Sequence, residues 1–403
     1  MGSEIEFTPS GTVTSPKGFS AGATYVGIKK KAEDSLDMGI LFSEVPCAAA
    51  ALFTANRIKA APIVLSQQRL QDGRAVALVV NSGCANACTG EEGLADAAEM
   101  AELAARGIGV PAEDVVVAST GVIGQRLPMR KIKDGISRIV LSREGGHQLA
   151  RAIMTTDTVP KEVAVTTGEG GFIIGGIAKG SGMIHPDLAT FLCFLTTDAN
   201  VDIDFLRQAL PKAADVSFNM ISIDGDTSTN DMVLIMANGL AGNEPISQGG
   251  RQADVFQQAL NQVCIHLAKV VARDGEGANK LIEVTVSGAP GVAEARLAAR
   301  TIAGSTLVKT AVYGNDPNWG RIMAALGRSG VEVEESKIDL YMGDICVVRA
   351  GSPMPFEREE AISVLNRREV FITLNLNLGS ASATAWGCDL TENYVTINSK
   401  YTT

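Results

Sequence analysis

Residues 179–199 read KGSGMIHPDLATFLCFLTTDA. The first half is turn-forming, with Gly180-Ser181-Gly182 and then Pro186 interrupting any regular element. The second half, from Phe191 on, is an apolar run suited to a buried strand. It is the last of three β-like runs, near 162–167, 172–178 and 189–197, separated by glycine-rich turns. At the junction stand a small residue, Ala189, and a hydroxyl, Thr190. A threonine hydroxyl is a poor nucleophile without a base beside it. A cut before Thr190 would create an α-amine with an unperturbed pKa of roughly 8. That amine can take the hydroxyl proton and return it later. An Ala-Thr pair at a strand start is commonplace, so the residues by themselves leave this chemistry open.

Working outward, strand-like runs alternate with amphipathic helical patterns. Residues 75–80 (AVALVV) read as a buried strand ending at Asn81-Ser82-Gly83. Thr89 and Glu92 form a capping-box pattern before a helix with Leu94, Ala97, Met100, Leu103 and Ala104 on one face and Gly107 at its end. Val115–Val117 is the next strand and runs into Ser119-Thr120-Gly121. Helical patterns follow at about 129–141 and 145–155, then at 202–214 and, longest of all, 253–272. Strands are expected at 281–286 and 307–313, around a helical run at 291–303, and again at 338–348, 370–377 and 393–401. The loosest connections are 241–252 and 350–356, and no fixed-period repeat or low-complexity linker occurs. The pattern predicts a layered α/β sandwich, helices covering sheets, with no clean domain cut.

The chain has 403 residues, 46% of them hydrophobic and 20% charged, which suffices for a substantial core. Its net charge of -10 argues against a nucleic-acid coat or an anionic-membrane binder, while a local basic pocket for a small anion is compatible with it. The seven cysteines are an odd, scattered set that reads as reduced thiols. Cys84 and Cys88 lack a second pair or a nearby histidine, so no metal is expected. The three histidines, His147, His185 and His266, leave little material for a histidine cluster. The acidic start Met1-Gly2-Ser3-Glu4 lacks the apolar core of a signal peptide, and no run approaches the ~18 apolar residues of a membrane span. The expectation is a cytoplasmic protein.

Familiar motifs mostly fail. There is no phosphate loop, and the glycines at 168–182 do not spell a dinucleotide fingerprint. Gly18-Phe19-Ser20-Ala21-Gly22 spells G-x-S-x-G, but a nucleophile elbow must follow a strand and open a helix, so this reads as a chance match. Residues 224–231 (DGDTSTND) begin like a calcium loop, but Thr229 replaces the required glycine and no carboxylate stands at position 12. What remains there is a dense polar stretch between apolar runs, either a hydrogen-bonded turn or a wall of an active site.

The chain resembles the ornithine acetyltransferase (glutamate N-acetyltransferase) family of arginine biosynthesis. The resemblance runs in order through FTANRIKAAP (53–62), NSGCANACTG (81–90), STGVIG (119–124), MTTDTVPK (154–161) and KGSGMIHPDLAT (179–190). It continues through DGDTSTND (224–231), ARDGEGANK (272–280), KTAVYGNDPNWGRI (309–322), ATAWGCDLT (383–391) and YVTIN (394–398). It implies a sandwich of the self-processing N-terminal-threonine acetyltransferase type. The chain would cut itself between Ala189 and Thr190 into an α chain, 1–189, and a β chain, 190–403. Thr190 would then carry acetyl from N-acetylornithine to glutamate in ping-pong fashion. The same resemblance implies an oxyanion hole at Thr120 and Gly121, and substrate contacts at Thr156, Lys179, Thr190, Glu276, Asn398 and Thr403. It implies no cofactor, with acetyl-CoA as a second possible donor, and a heterotetramer of two α and two β chains.

Some positions depart from the family pattern: Leu188 and Phe191 where methionine is frequent, Asn279 and Gly387 where threonine is frequent. Asn279 puts the ammonium-side pocket near Glu276 in question. His185 is read as a turn residue in preference to a base. Alternative readings are an N-terminal-nucleophile amidohydrolase or aminopeptidase, a paralogue with another acyl acceptor, and an uncut binding protein.

Overall fold

The computed structural model describes residues 5–30, 35–168, 171–185 and 191–400. Among these, the β-rich runs form two sheets. The first contains β1 (Ile5–Phe7), β2 (Phe19–Thr24), β3 (Met38–Phe53), β4 (Arg74–Cys84), β5 (Val115–Val122), β6 (Lys161–Thr167), β7 (Ile173–Lys179) and β8 (Leu192–Thr197). Past β9 (Ile221–Ser222), it also takes β10 (Met232–Ala237). Its order is β1-β6-β7-β8-β10-β3-β4-β5, with β2 paired to β3. The second sheet joins β9 to β11 (Leu281–Ala289), β12 (Asp339–Met342), β13 (Ile345–Arg349), β14 (Ser352–Pro353), β15 (Glu369–Asn375) and β16 (Ala381–Cys388). Its order is β14-β13-β12-β15-β11-β16-β9.

Strand β8 shows why the central run lacks alternation. Every residue of LCFLTT is buried. Cys193 and Leu195 face the core that includes helices Ile203–Asp215 and Arg251–Arg273. Leu192 and Phe194 face a second core with Leu41, Ile63 and Leu78. A strand covered on both faces reads as a continuous apolar run. Helix Arg251–Arg273 lies between the sheets, touching β6 and β7 on one side and β9, β11 and β16 on the other. Its approach depends on Gly176 of β7, where an added Cβ would stand 2.7 Å from a Leu195 methyl and 3.1 Å from one of Leu267. Helix Val292–Ala303 covers β11 and β16, and helix Gly90–Ile108 covers β5.

The sheet register brings chain ends together. Strands β7 and β8 are antiparallel with Lys179 opposite Leu192, and β8 runs parallel to β10 with Leu192 opposite Met232. The loop before β10 reaches across to the end of β5, where Asn230 Nδ2 donates to the carbonyls of Ala85 (2.6 Å) and Ser119 (2.9 Å).

Several expectations need correction. Residues 307–313 lie in helix Thr306–Tyr313, because Val308, Lys309, Ala311 and Val312 bury one helical face. Residues 393–400 lie in helix Glu392–Lys400: β16 already has β11 and β9 as neighbours, so no sheet edge is open to them beside it. Thr89 does occupy the N-cap of helix Gly90–Ile108, but its hydroxyl binds Asn86 (Oδ1, 2.8 Å) in place of a backbone N–H of the first turn. That helix ends at Gly109, whose φ of 78° is left-handed, and not at Gly107. The run 338–348 breaks into β12 and β13 at a turn. Ser20 sits within β2, a strand, so the G-x-S-x-G match has no elbow geometry. No helix of the described residues is long and apolar enough to cross a membrane.

Leu267 is fully buried where the inter-sheet helix meets β7. Leu267→Ala is expected to lower unfolding free energy by about 2–5 kcal/mol, read from the urea midpoint at unchanged slope.

Candidate active site

Strand β7 ends on Lys179, which is buried. Its ammonium donates to Thr155 Oγ1 at 3.3 Å. The next residue, Gly180, donates its N–H to Asp157 Oδ1 at 2.7 Å. Ser181 then fixes two neighbours. Its hydroxyl bonds Thr156 Oγ1 at 2.6 Å, and its carbonyl accepts from the Glu276 N–H at 2.8 Å. At Gly182 an added Cβ would stand 2.5 Å from the Glu276 carboxyl carbon, so a side chain there would displace that carboxylate. Asn398 Nδ2 reaches from the last helix to donate to Glu276 Oε2 at 2.6 Å.

Thr120 and Gly121 lie in the last residues of β5, which runs to Val122. Gly121 has φ +129°, and a Cβ on it would lie 2.3 Å from the Gly83 carbonyl carbon, so only glycine fits this close pairing of β4 and β5. Asn230 holds the turn from above through the Ser119 carbonyl, as described. One cavity is lined by Thr120, Gly121, Thr156, Lys179, Glu276 and Asn398 together. These are the predicted site residues that fall among the described ones; Ala189, Thr190 and Thr403 lie outside them. Phe191, the next residue in sequence after Thr190, lines the same cavity and stacks edge-on against Phe218 at 4.8 Å.

The electrostatics are those of a buried charged site. Burial lowers the Lys179 pKa, opposed by Asp157 and Asp231. Burial also works against the Asp157 carboxylate, but the Lys161 and Lys179 cations outweigh it and hold its pKa at about 2. Lys161 bridges Asp157 (2.5 Å) and Asp274 (2.6 Å), all with buried side chains. Asp231 is pushed well above the usual carboxylate range by burial, with Lys179 and Ser228 pulling the other way. Among the described residues the cavity therefore presents one cation, two carboxyl groups and a row of hydroxyls, a complement for a small zwitterion. Among the described residues, no cluster of three or more His, Cys, Asp or Glu side chains could hold a metal ion.

The polar stretch 224–231 resolves toward the site: Ser228, Thr229, Asn230 and Asp231 line the cavity. Asp224 holds the preceding turn by accepting from the N–H groups of Met183 (2.6 Å) and Ile184 (2.9 Å). Asp231 and Asn230 were not singled out from sequence; their signal was polar density between apolar runs. His185 bonds Ser222 through Nδ1 at 3.0 Å and does not line the cavity, which fits a turn role. Asn279 is exposed and lines a separate groove, so its departure from the family pattern stays outside this cavity.

A family model described as the ArgJ family matches residues 20–403. The arginine biosynthesis bifunctional protein ArgJ of Dehalococcoides mccartyi (strain CBDB1) is 54% identical over 407 residues, 100% of both chains. The protein of that name from Symbiobacterium thermophilum is 54% identical over 398 residues, 98% of this chain and 99% of its own. The crystal structure of the arginine biosynthesis bifunctional protein argJ from Bacillus halodurans is similar at 50% identity and a TM-score of 0.51. That likeness covers 52% of this chain and 98% of the other.

Asp157 titrates near 2 when folded against 3.8 for a free carboxyl. Its contribution to stability is therefore present above about pH 4 and lost as pH falls through about 2. Asp157→Asn is expected to flatten that acid slope and to lower stability at pH 7, since Lys161 keeps one buried counter-ion instead of two. Urea unfolding between pH 7 and 2 checks both.

Proposed function

This chain belongs to the ArgJ family, and from that premise we propose that it is a self-cleaving acetyltransferase of arginine biosynthesis, moving acetyl from N-acetylornithine to glutamate. The observation that carries the reading is the cavity itself. Residues scattered from 120 to 398 meet there as a strand-end turn, a buried lysine and a pinned carboxylate, beside Phe191. The solved relative fits a precursor that ends as two chains, since nearly all of its chain corresponds to about half of this one.

In this reading the Thr190 hydroxyl attacks the Ala189 carbonyl carbon, the peptide C–N bond breaks, and water hydrolyses the resulting ester. The products are an α chain, 1–189, and a β chain, 190–403. The freed α-amine of Thr190 then takes the hydroxyl proton as Oγ attacks the acetyl carbonyl of N-acetylornithine. Negative charge developing on the carbonyl oxygen meets the Thr120 hydroxyl and the Gly121 N–H, and each such donor is worth about 3 kcal/mol. The proton passes to the leaving nitrogen as its C–N bond breaks, and ornithine departs. Glutamate's amine attacks the acetyl-Thr190 ester and regenerates the hydroxyl.

Lys179 receives the substrate α-carboxylate, an attraction strengthened by its dry surroundings. Thr156 offers a hydroxyl to the same amino acid. Glu276, held by Asn398 and the Ser181 carbonyl, takes an ammonium group, and Thr403 closes over the substrate. The processed chains work in the cytoplasm as two α and two β. The relatives are named as bifunctional proteins of arginine biosynthesis; for this chain the proposed second activity is acetyl transfer from acetyl-CoA to glutamate.

Intact-mass measurement of the purified protein is expected to show two fragments divided between Ala189 and Thr190. Thr190→Ala is expected to leave one uncut chain without transfer; an uncut, active wild type would overturn the mechanism. Acetylglutamate formation is expected to exceed acetate release with N-acetylornithine, and also with acetyl-CoA if the second donor is used. Acetate as the main product would establish the amidohydrolase reading instead.

A further inference from the structure

The groove that Asn279 lines carries a charge opposite to that of the molecule, whose net charge is -10. Among the described residues, Arg273, Lys280, Arg367 and Arg368 meet one lining carboxylate there, Asp274. That carboxylate is already engaged. Its Oδ2 takes the Lys161 ammonium at 2.6 Å and the Thr158 N–H at 3.0 Å, and its Oδ1 takes the Thr158 hydroxyl. Arg273 is paired with Glu369 at 2.8 Å. Lys280, Arg367 and Arg368 form no ion pair with a carboxylate among the described residues.

Lys280 makes this more than a patch of surface charge. It is 7% exposed, and a buried cation without a counter-ion is costly. Its ammonium donates to two uncharged groups, the Val312 carbonyl at 2.7 Å and Asn315 Oδ1 at 2.5 Å. Asp389 accepts the backbone N–H groups of Asn279 and Lys280 but does not pair with the ammonium. Asn315 Nδ2 donates to Asn366 Oδ1 at 3.4 Å, and Asn366 lines the groove. Three helices, Arg251–Arg273, Thr306–Tyr313 and Arg358–Leu365, direct their C-terminal ends here. Each end supplies about half a negative charge, so together they do not neutralise three cations.

Size and surface narrow the ligand. The groove offers about 580 Å³, within the roughly 300–1,000 Å³ of small-molecule sites. It also carries apolar surface from Val159, Val270 and Ala278, and Val159 is 45% exposed. Guanidinium forks match phosphate oxygens, and an apolar shelf suits a flat base.

We propose that this groove binds a phosphate-bearing nucleotide, its phosphates on Arg367, Arg368 and Lys280 and its base against Val159, Val270 and Ala278. The site is separate from the catalytic cavity but shares two chain segments with it. Thr156 and Glu276 line the cavity, while Thr158 and Asp274 line the groove. The nucleotide then has two sources. One is the nucleotide portion of acetyl-CoA, whose use as donor rests on the reading above. The other is a free nucleotide acting through the shared segments.

ADP is the probe, titrated calorimetrically into the purified full-length protein. Wild type is expected to bind it, more weakly as ionic strength rises. The double variant Arg367→Ala/Arg368→Ala is expected to bind about 10-fold more weakly at an unchanged Tm, since both side chains are exposed. Arg367→Lys/Arg368→Lys keeps the charge and should recover part of the affinity. No binding by wild type at millimolar ADP, or equal binding by the alanine variant, would overturn the proposal. Kinetics separate the sources. If the ligand is the donor, KM for acetyl-CoA rises about 10-fold in the alanine variant while KM for N-acetylornithine stays in place. If it is a free nucleotide, ADP changes transfer from N-acetylornithine in wild type and not in the variant. Binding of ADP requires neither the cut nor turnover. An uncut or inactive chain that binds ADP would therefore sink the catalytic reading and leave this site standing.

Discussion

A buried lysine at the end of a central strand sets the constraint around which this site is built. Lys179 cannot stay charged in a dry interior without counter-ions. Asp157 answers it, Lys161 answers Asp157, and Asp274 answers Lys161, so the charge is handed backward through side chains that are themselves buried. The same Asp157 oxygen that faces Lys161 also receives the Gly180 N–H, which fixes how the chain leaves β7. Electrostatic compensation and backbone direction are therefore one arrangement, and the wall of the cavity formed by residues 182–184 follows from it.

Close approach does the rest. Gly121 lets the ends of β4 and β5 touch backbone to backbone, and Gly182 lets a carboxylate sit against the main chain. A Cβ at Gly121 would force the ends of β4 and β5 apart, and one at Gly182 would displace the Glu276 carboxylate that lines the cavity. The site thus consists of groups placed by strand ends and held by buried polar bonds, the kind of rigid support that keeps donors aimed where charge develops.

Much of this was legible in the sequence because the strands that matter are short, apolar and bounded by glycine. β4, β5, β6, β7 and β8 fall where periodicity put them, and helix Arg251–Arg273 follows from Val255, Leu260, Val263 and Leu267 at helical spacing. The six predicted residues that converge come from five separate motifs, Thr120 and Gly121 sharing one, whose proximity only the fold reveals. The errors share a cause. Thr306–Tyr313 and Glu392–Lys400 contain valine, threonine, isoleucine and tyrosine, and propensity read them as strands; the absence of an open sheet edge beside β16, and one buried helical face, decided otherwise. Asp231 escaped notice because a carboxyl at the start of an apolar run looks like an ordinary turn residue until the neighbouring strand is in place.

The pairing of β7 with β8 has a consequence for what a break between them does to the molecule. The first sheet takes β1 through β7 from one side of residue 190 and β8 and β10 from the other, with β10 inserted between β8 and β3. Severing the backbone there removes a covalent link but no ladder hydrogen bond among the described strands. The two pieces could come apart only by unzipping both edges of the β8–β10 ribbon and stripping helix Arg251–Arg273 from β6 and β7. A newly made chain terminus would therefore be retained at high effective concentration beside its neighbours, anchored like an intramolecular ligand, and separation of the fragments would amount to unfolding.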